Sequence, residues 1–434
     1  MKSLNKPVIK IGLLGLGTVG TGTTQILTNN GADITAKVGS KLQITKALVR
    51  DVSKPRPNMD PSILLTQDPA DVLADPEIDI VVEVMGGIEP AREYIAAALA
   101  GGKYVVTANK DLMAVHGSEL LSIARENHRT IYYEASVGGG IPLLRPIKRC
   151  LAANKIESVM GIINGTTNYI LTQMTIAKKD FQDALAEAQA KGFAEADPSN
   201  DLEGRDAAYK LAILASLCFN SAVDVNQIAA ESITEVSVRD IVYADELGFV
   251  IKLLAIGEET PEGLLLRVHP TLVPKHHPLA SVHNEFNAVF LAGDAVGELM
   301  FYGRGAGSLP TASAVVADVI EAARNINYQI ENGYTHPTAA AKRIVPMAET
   351  KSCFYVRLKA KDQPGVFGAV ATALGDEGIS LDLILQNQRE VNLAEIVLVT
   401  HKVPEANFYR ALERIKKLDS IRNISNVMRV LERG

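Results

Sequence analysis

Short apolar runs alternate with helical periodicity and glycine punctuation through the first third of the 434-residue chain. Val8-Ile-Lys-Ile-Gly-Leu-Leu14 reads as a buried strand, Thr21 to Thr28 as the helix after it, Ile44-Thr-Lys-Ala-Leu-Val49 as a second strand and Ile78-Asp-Ile-Val-Val-Glu-Val84 as another. A helix near Pro90 to Leu99 stops at Gly101-Gly102, and Tyr104-Val-Val-Thr107, a further helix and Thr130-Ile-Tyr-Tyr133 follow. Apolar strands alternating with helices predict a doubly wound parallel sheet over residues 1–140. Past Pro142 the pattern turns to α+β and predicts a second domain over 141–307. It has a strand at Ile156 to Ile163, helices near Thr167–Ala177 and Phe181–Ala190, and strands around Phe249–Ile256 and Leu264–Val268. Gly303-Arg-Gly-Ala-Gly307-Ser308 opens a helix from Pro310 to Ala323, expected to return to the first domain over 308–325. A linker at 325–350, holding Gly333, Pro337 and Pro346, then leads into residues 351–434. There Tyr355–Ala360, Val366–Glu377, Ile379–Leu385, Leu393–Thr400, Phe408–Leu418 and Val427–Leu431 read as βαββαβ.

Composition narrows the class of protein. With 47% hydrophobic and 22% charged residues and a formal net charge of -6, the chain is expected to be soluble and globular, without a broad basic face for nucleic acid. Its partners are then small molecules or protein. Cys150, Cys218 and Cys353 are far apart, odd in number and lack metal-ligand spacing, which points to reducing cytosol rather than a disulfide framework or zinc site. No signal-peptide core and no membrane-length apolar run are evident, so the expected location is cytoplasmic.

Four stretches carry candidate chemistry. Gly15-Leu-Gly17-Thr18-Val19-Gly20 falls between the first strand and its helix, where a GxGxxG turn lets backbone N–H groups approach a pyrophosphate, as in Rossmann-type dinucleotide folds. A tight strand-to-helix turn is the plainer reading. After the second strand, Arg50 and Lys54 suit a 2′-phosphate and so NADP, while Asp51 keeps NAD open. Lys110, past another strand end, is either a crevice residue or a solvated turn. Glu134-Ala-Ser-Val-Gly-Gly-Gly-Ile141 is either a cation loop, built from one carboxylate and accessible carbonyls, or a glycine-rich turn. In Glu195-Ala-Asp-Pro-Ser-Asn-Asp201-Leu-Glu-Gly-Arg-Asp206-Ala-Ala-Tyr-Lys210, Asp206 and Lys210 share one helical face. Beside apolar surface that lysine suits proton transfer, and the same spacing also describes a surface ion pair. The adjacent His276-His277 reads as a solvated loop more readily than as metal ligands.

Taken in order, Gly15 to Gly20, Val106-Thr-Ala-Asn-Lys110, Glu134 to Pro142, Gly161-Ile-Ile-Asn-Gly-Thr-Thr-Asn168, Gly192-Phe-Ala-Glu-Ala-Asp-Pro198, Asp206 to Lys210 and Tyr302-Gly-Arg-Gly-Ala-Gly307 resemble homoserine dehydrogenase along nearly the whole chain. The Asp362-Gln-Pro-Gly-Val-Phe367 turn with Gly378-Ile-Ser380 resembles an ACT domain, so the resemblance is to the monofunctional form with a C-terminal ACT domain. It implies reversible reduction of L-aspartate 4-semialdehyde to L-homoserine by NAD(P)H in threonine, methionine and isoleucine biosynthesis. It also implies a substrate-binding and dimerisation role for residues 141–307, a homodimer or homotetramer, and feedback by L-threonine at the ACT domain. Carried over residue by residue, Lys210 matches the proton donor and acceptor, Lys110 a lysine spanning cofactor and substrate, and Asp201 and Asp206 acids that surround the substrate and orient Lys210. Glu195 matches the position that binds the substrate ammonium, with Gly192 in the same motif, and Thr18, Val19 and Gly307 match cofactor positions. Glu134, Val137, Gly139 and Ile141 match a structural monovalent-cation site, for which the resemblance implies Na+, the last three through backbone carbonyls. Two rivals are weighed. Another ACT-bearing dehydrogenase would use a histidine–carboxylate pair, yet no histidine lies between Arg129 and Val268. A catalytically inactive amino-acid sensor would not need Lys210 and Glu195.

Overall fold

The computed structural model describes residues 6–56, 59–330, 341–390 and 392–432; Gly333 and Pro337 of the expected linker lie outside them. The chain divides into one unit of residues 1–156, 212–225 and 293–341 and another of 157–211, 226–292 and 342–434. Among the described residues, no helix is long and apolar enough to cross a membrane.

In the first unit, strands with little polar side chain demand cover on both faces. Six of them form a parallel sheet in the order Leu64–Thr66, Lys41–Leu48, Val8–Leu14, Ile80–Glu83, Tyr104–Thr107, Ile131–Tyr132, the strand order of a doubly wound dinucleotide fold. Ile9, Ile11, Ile80 and Val82 are fully buried in one cluster with Val315, Val319 and Ala322 of the helix Ser308–Tyr328, which returns to this sheet as expected. That helix outruns the linker boundary drawn at 325. Asn325 donates to the Tyr132 hydroxyl at 2.6 Å and Asn327 to Ser40 Oγ at 2.8 Å, so both are satisfied inside the unit. The helix stops at Gln329, which is left-handed with φ 53°. The helix Leu144–Arg149 also stays with this unit, beyond the boundary drawn at 140, because Arg145 pairs with Asp318 and Arg149 with Glu321 (2.7 Å) on the returning helix.

In the second unit one sheet runs Phe286–Gly293, Ile156–Ile162, Phe249–Thr260, Gly263–Pro274, Ile421–Val430, Lys351–Lys361, Leu393–Thr400, Leu381–Glu390. The last four strands, with the helices Val366–Gly375 and Glu405–Lys416, are the expected βαββαβ segment. It closes its own core around Phe354 and Phe408, whose rings stack at 3.6 Å. This segment shares a sheet with the rest of the unit. Gly263–Pro274 pairs in parallel with Ile421–Val430 at Thr271↔Arg429 and Leu272↔Val430, and the sheet is continuous.

A buried ionic network crosses the same junction. Arg357 Nε meets Asp240 Oδ1 at 2.7 Å and Nη1 meets Glu395 Oε1 at 3.0 Å; Tyr243 donates to Glu395 and Tyr355 to Asp240 at 2.8 and 3.1 Å. Asp240 also closes the capping box with Ser237 that starts the helix Val238–Glu246. Burial alone would raise the Asp240 carboxyl, but hydrogen bonds and charge from Arg357 outweigh it and hold it below the usual range. A carboxyl depressed on folding contributes stability above its unfolded pKa of about 3.9, lost as pH falls through the folded value. Asp240→Ala is therefore expected to cost roughly 3–5 kcal/mol at neutral pH, since it strands a buried guanidinium. In urea melts the gap to wild type should narrow below about pH 4; a gap independent of pH would refute the ionic account.

Candidate active site

The first strand ends where the chain must turn sharply, and glycines allow it. Gly15 has φ 101°, and a side chain at Gly20 would meet the Gly15 carbonyl oxygen at 2.5 Å, so helix and turn close on each other. Gly17 faces open space at the N-terminus of the helix Thr18–Asn29, leaving its backbone accessible. Beside it lies a cavity of about 460 Å3 lined by Gly17, Thr18, Lys54, Arg56 and Ser308. Ser308, just after Gly307 (φ 120°), donates to the Thr18 carbonyl at 2.8 Å, which brings the second glycine turn to the first. Val19 is partly buried in the hydrophobic cluster beneath. Arg50 is exposed at the strand end and is not among the residues lining the cavity, whereas Arg56, which sequence reasoning passed over, is. The Asp51 carboxylate turns onto Ser53, accepting from its N–H at 2.8 Å and its hydroxyl at 2.6 Å.

A second organising group in this unit is Glu83, fully buried at the end of Ile80–Glu83. It accepts from the Thr107 hydroxyl at 2.6 Å and the Met85 N–H at 2.8 Å, tying two strand ends together, and burial pushes its carboxyl up against those bonds. An acid ending an Ile-Val-Val run was the available signal. Lys110 is not a turn residue: it opens the helix Lys110–Glu126, capped by Asn109, whose amide donates to the Gly87 carbonyl at 2.6 Å. Its ammonium stands 3.9 Å from Asp111.

The Glu134 loop differs from the picture of a carboxylate ligand. The Glu134 side chain is buried and accepts the N–H groups of Leu143, Leu144 and Arg145 at 2.5, 2.8 and 2.7 Å, capping the next helix from inside. Gly138 and Gly139 have φ 75° and 53°, and Val137, Gly139 and Ile141 are buried. Among the described residues no hydrogen bond reaches the carbonyls of those three. His277 accepts from the Leu279 N–H at 3.1 Å and packs on Phe290, a structural role, and no group of three or more acidic, histidine or cysteine side chains could hold a metal among the described residues.

In the second unit the lysine cluster is assembled at the end of the strand Ile156–Ile162. Lys210, its side chain 13% exposed, donates to Asp206 Oδ2 at 2.6 Å and to the Ile163 carbonyl at 2.8 Å. Between the two acids stands Asn164, quoted in the resemblance without a role. Its amide donates to Asp201 at 2.7 Å and Asp206 at 2.8 Å, while its oxygen caps the helix Gly165–Ile176 through the Thr167 N–H. Asparagine between a strand and a helix signals an N-cap, and nothing local foretells a clamp on two acids. Burial, then the neighbouring Asp206 charge, pushes the Asp201 carboxyl up. Glu195 is exposed in the following loop, after Gly192 (φ 75°), and that loop is tethered by Thr166, whose hydroxyl donates to the Phe193 carbonyl at 2.6 Å.

Family models match three stretches: residues 142–320 that described as homoserine dehydrogenase, 15–134 its NAD-binding domain, and 354–420 the ACT domain. The homoserine dehydrogenase of Synechocystis is 47% identical over 433 residues, covering 98% of this chain and 99% of that one. A solved homoserine dehydrogenase from Thiobacillus denitrificans is 42% identical with a TM-score of 0.93, covering 98% of both chains. A hyperthermophilic archaeal homoserine dehydrogenase solved in complex with NADPH is 27% identical with a TM-score of 0.62, covering 73% of this chain and 97% of that one.

Proposed function

The chain belongs to the homoserine dehydrogenase family and is an NAD(P)-dependent oxidoreductase with an ACT domain, and on that premise we propose that Lys210 moves the proton of its reaction. Reducing L-aspartate 4-semialdehyde to L-homoserine places negative charge on the carbonyl oxygen, which must receive a proton. The nicotinamide, when bound, supplies the hydride. An ammonium has three N–H donors, and Lys210 spends one on Asp206 and one on Ile163. The third is left for substrate oxygen. This count carries the assignment. Asp206 holds the ammonium in place, Asn164 holds Asp206, and in the oxidative direction the neutral amine takes the proton back. Glu195, accessible in its tethered loop beside Gly192, is assigned to the substrate ammonium, Asp201 to the substrate's surroundings, and Lys110, at a strand's carboxyl end, to cofactor and substrate.

For the cofactor, Gly15, Gly17, Thr18, Val19, Gly20 and Gly307 are assigned to the pyrophosphate turn, and Arg50 and Lys54 with Arg56 to a 2′-phosphate, making NADP the preferred form. The cavity that Lys54 and Arg56 share with Gly17 supports this, as does an Asp51 already satisfied by Ser53. For the loop Glu134 to Ile141, carbonyls with no bound donor and a carboxylate already spent suit a hard ion of single charge, and Na+ is assigned there. L-threonine is assigned as effector of the ACT segment and the protein as a homodimer or homotetramer, since such modules bind ligands in pairs. Three free cysteines suit a reducing cytoplasm. Sedimentation velocity and cell fractionation check these last two, a monomer or a membrane-bound fraction counting against them.

Lys210→Ala is expected to lower kcat for aldehyde reduction by roughly 10²–10⁴ with KM little changed. Asn164→Ala should lower it by about tenfold, the worth of one or two hydrogen bonds. Unchanged turnover in the lysine variant would remove the role of Lys210 and leave the reaction standing. Lys54→Ala should raise KM for NADPH about tenfold, one charge-assisted contact, and leave NADH within about twofold. Equal effects on both would remove the 2′-phosphate reading. Exchange into tetramethylammonium buffer should lower Tm by roughly 2–4 °C, with recovery on adding Na+ and none with Mg2+; an unmoved Tm counts against the cation.

A further inference from the structure

Where the βαββαβ segment joins the sheet, Gly263–Pro274 and Ile421–Val430 pair at two positions only. Alongside that short seam lies a cavity of about 500 Å3, lined among others by Glu258, Arg267, His269, Cys353 and Arg429. Its size is that of a small-molecule site. Two arginines face it, and they are treated differently. Arg429 is chelated by Glu405, Nε to Oε1 at 2.7 Å and Nη2 to Oε2 at 2.8 Å, with Glu231 on Nη1 at 2.7 Å. Among the described residues Arg267 has one hydrogen bond, Nη1 to Ser352 Oγ at 2.9 Å, and its nearest carboxylates, Glu405 and Glu258, stand 3.8 and 4.0 Å away. Glu405 is already spent on Arg429 and Ser352.

Among the described residues, two buried polar atoms here have no partner: Arg267 Nε and His269 Nε2, on residues 9% and 1% exposed. A buried donor without a partner is costly, more so when it is charged, and native interiors rarely leave one. His269 lies behind the cavity wall, its Nδ1 2.8 Å from the Thr271 hydroxyl and 3.3 Å from the Pro270 carbonyl. Burial, reinforced by Arg429 and Arg267, keeps that imidazole neutral. Arg267 thus brings an under-used guanidinium to the cavity wall, and Glu258, its side chain 40% exposed, supplies the opposite charge.

We propose that this cavity binds a small carboxylate-bearing metabolite of amino-acid size, its carboxylate on Arg267 and its ammonium toward Glu258. The site lies within one chain, apart from the Asp362–Gly365 turn. Its occupant touches the strand Gly263–Pro274 and the βαββαβ segment together, so binding reports on the seam between them. It stands independently of L-threonine being the effector.

Cys353 lines the cavity and gives a local readout. In a full-length Cys150→Ser, Cys218→Ser protein, the rate of Cys353 alkylation by N-ethylmaleimide is followed at mildly alkaline pH, since burial pushes that thiol up to about 11. L-Threonine, L-methionine and L-aspartate are the probes. At least one is expected to slow alkylation about tenfold when present at about ten times its Kd, and Arg267→Met or Glu258→Gln should abolish the protection. The second variant, and circular dichroism of both, separate lost binding from lost folding. Asp362→Ala should leave the protection intact. Protection by no probe, or protection that survives in both cavity variants, overturns the site. Protection lost only in Asp362→Ala places the ligand at the turn and also overturns it. Failure of L-threonine to inhibit turnover overturns the regulatory reading alone.

Discussion

An amide has two N–H bonds, and Asn164 spends both on carboxylates. That sharing is the constraint from which the lysine cluster follows. Two acids drawn close by one amide repel, and the neighbouring charge helps keep the Asp201 carboxyl raised. The positive charge of Lys210 compensates, and Lys210 is held at two of its three donors. The same asparagine caps the helix Gly165–Ile176, so the helix start, the acid pair and the lysine share one anchor. Displacing it disturbs secondary structure and chemistry together.

The first unit uses buried acids in the same way. Glu83 ties the ends of two parallel strands, Glu134 caps the helix Leu144–Arg149 from inside, and Asp318 accepts the Glu134 N–H at 2.8 Å. Burial raises Asp318 to about 7 even with Arg145 beside it. These groups lie where the sheet's strands end, and there ligands bind in doubly wound folds. The geometry of the loops is thus set by charges that a low-dielectric interior makes stiff and costly to rearrange.

The C-terminal segment shares this economy. Its hydrophobic core is its own, but its last strand continues a neighbouring sheet, and Arg357 and Arg429 anchor it through Asp240 and Glu231 on the other side of the seam. A segment joined by hydrogen-bonded strands and buried ion pairs has few independent motions. Anything that changes the seam acts on both sides of it.

Much of this was legible in the chain itself. Strand and helix periods, the GxGxxG turn and the βαββαβ pattern are local properties, because apolar spacing and glycine conformation act over a few residues. Asp206 and Lys210 belong to the same class, since one helical turn brings them together whatever else happens. What tertiary structure alone decided involves partners distant in sequence. Asn164 reaches acids 37 and 42 positions away, the Glu134 carboxylate meets the N–H groups of a helix start, Asn325 and Asn327 find buried partners that carry their helix past its expected end, and the C-terminal segment merges with the sheet it was expected only to follow. A polar residue's role depends on which donor or acceptor it meets, and that meeting is fixed by packing rather than by its neighbours in sequence.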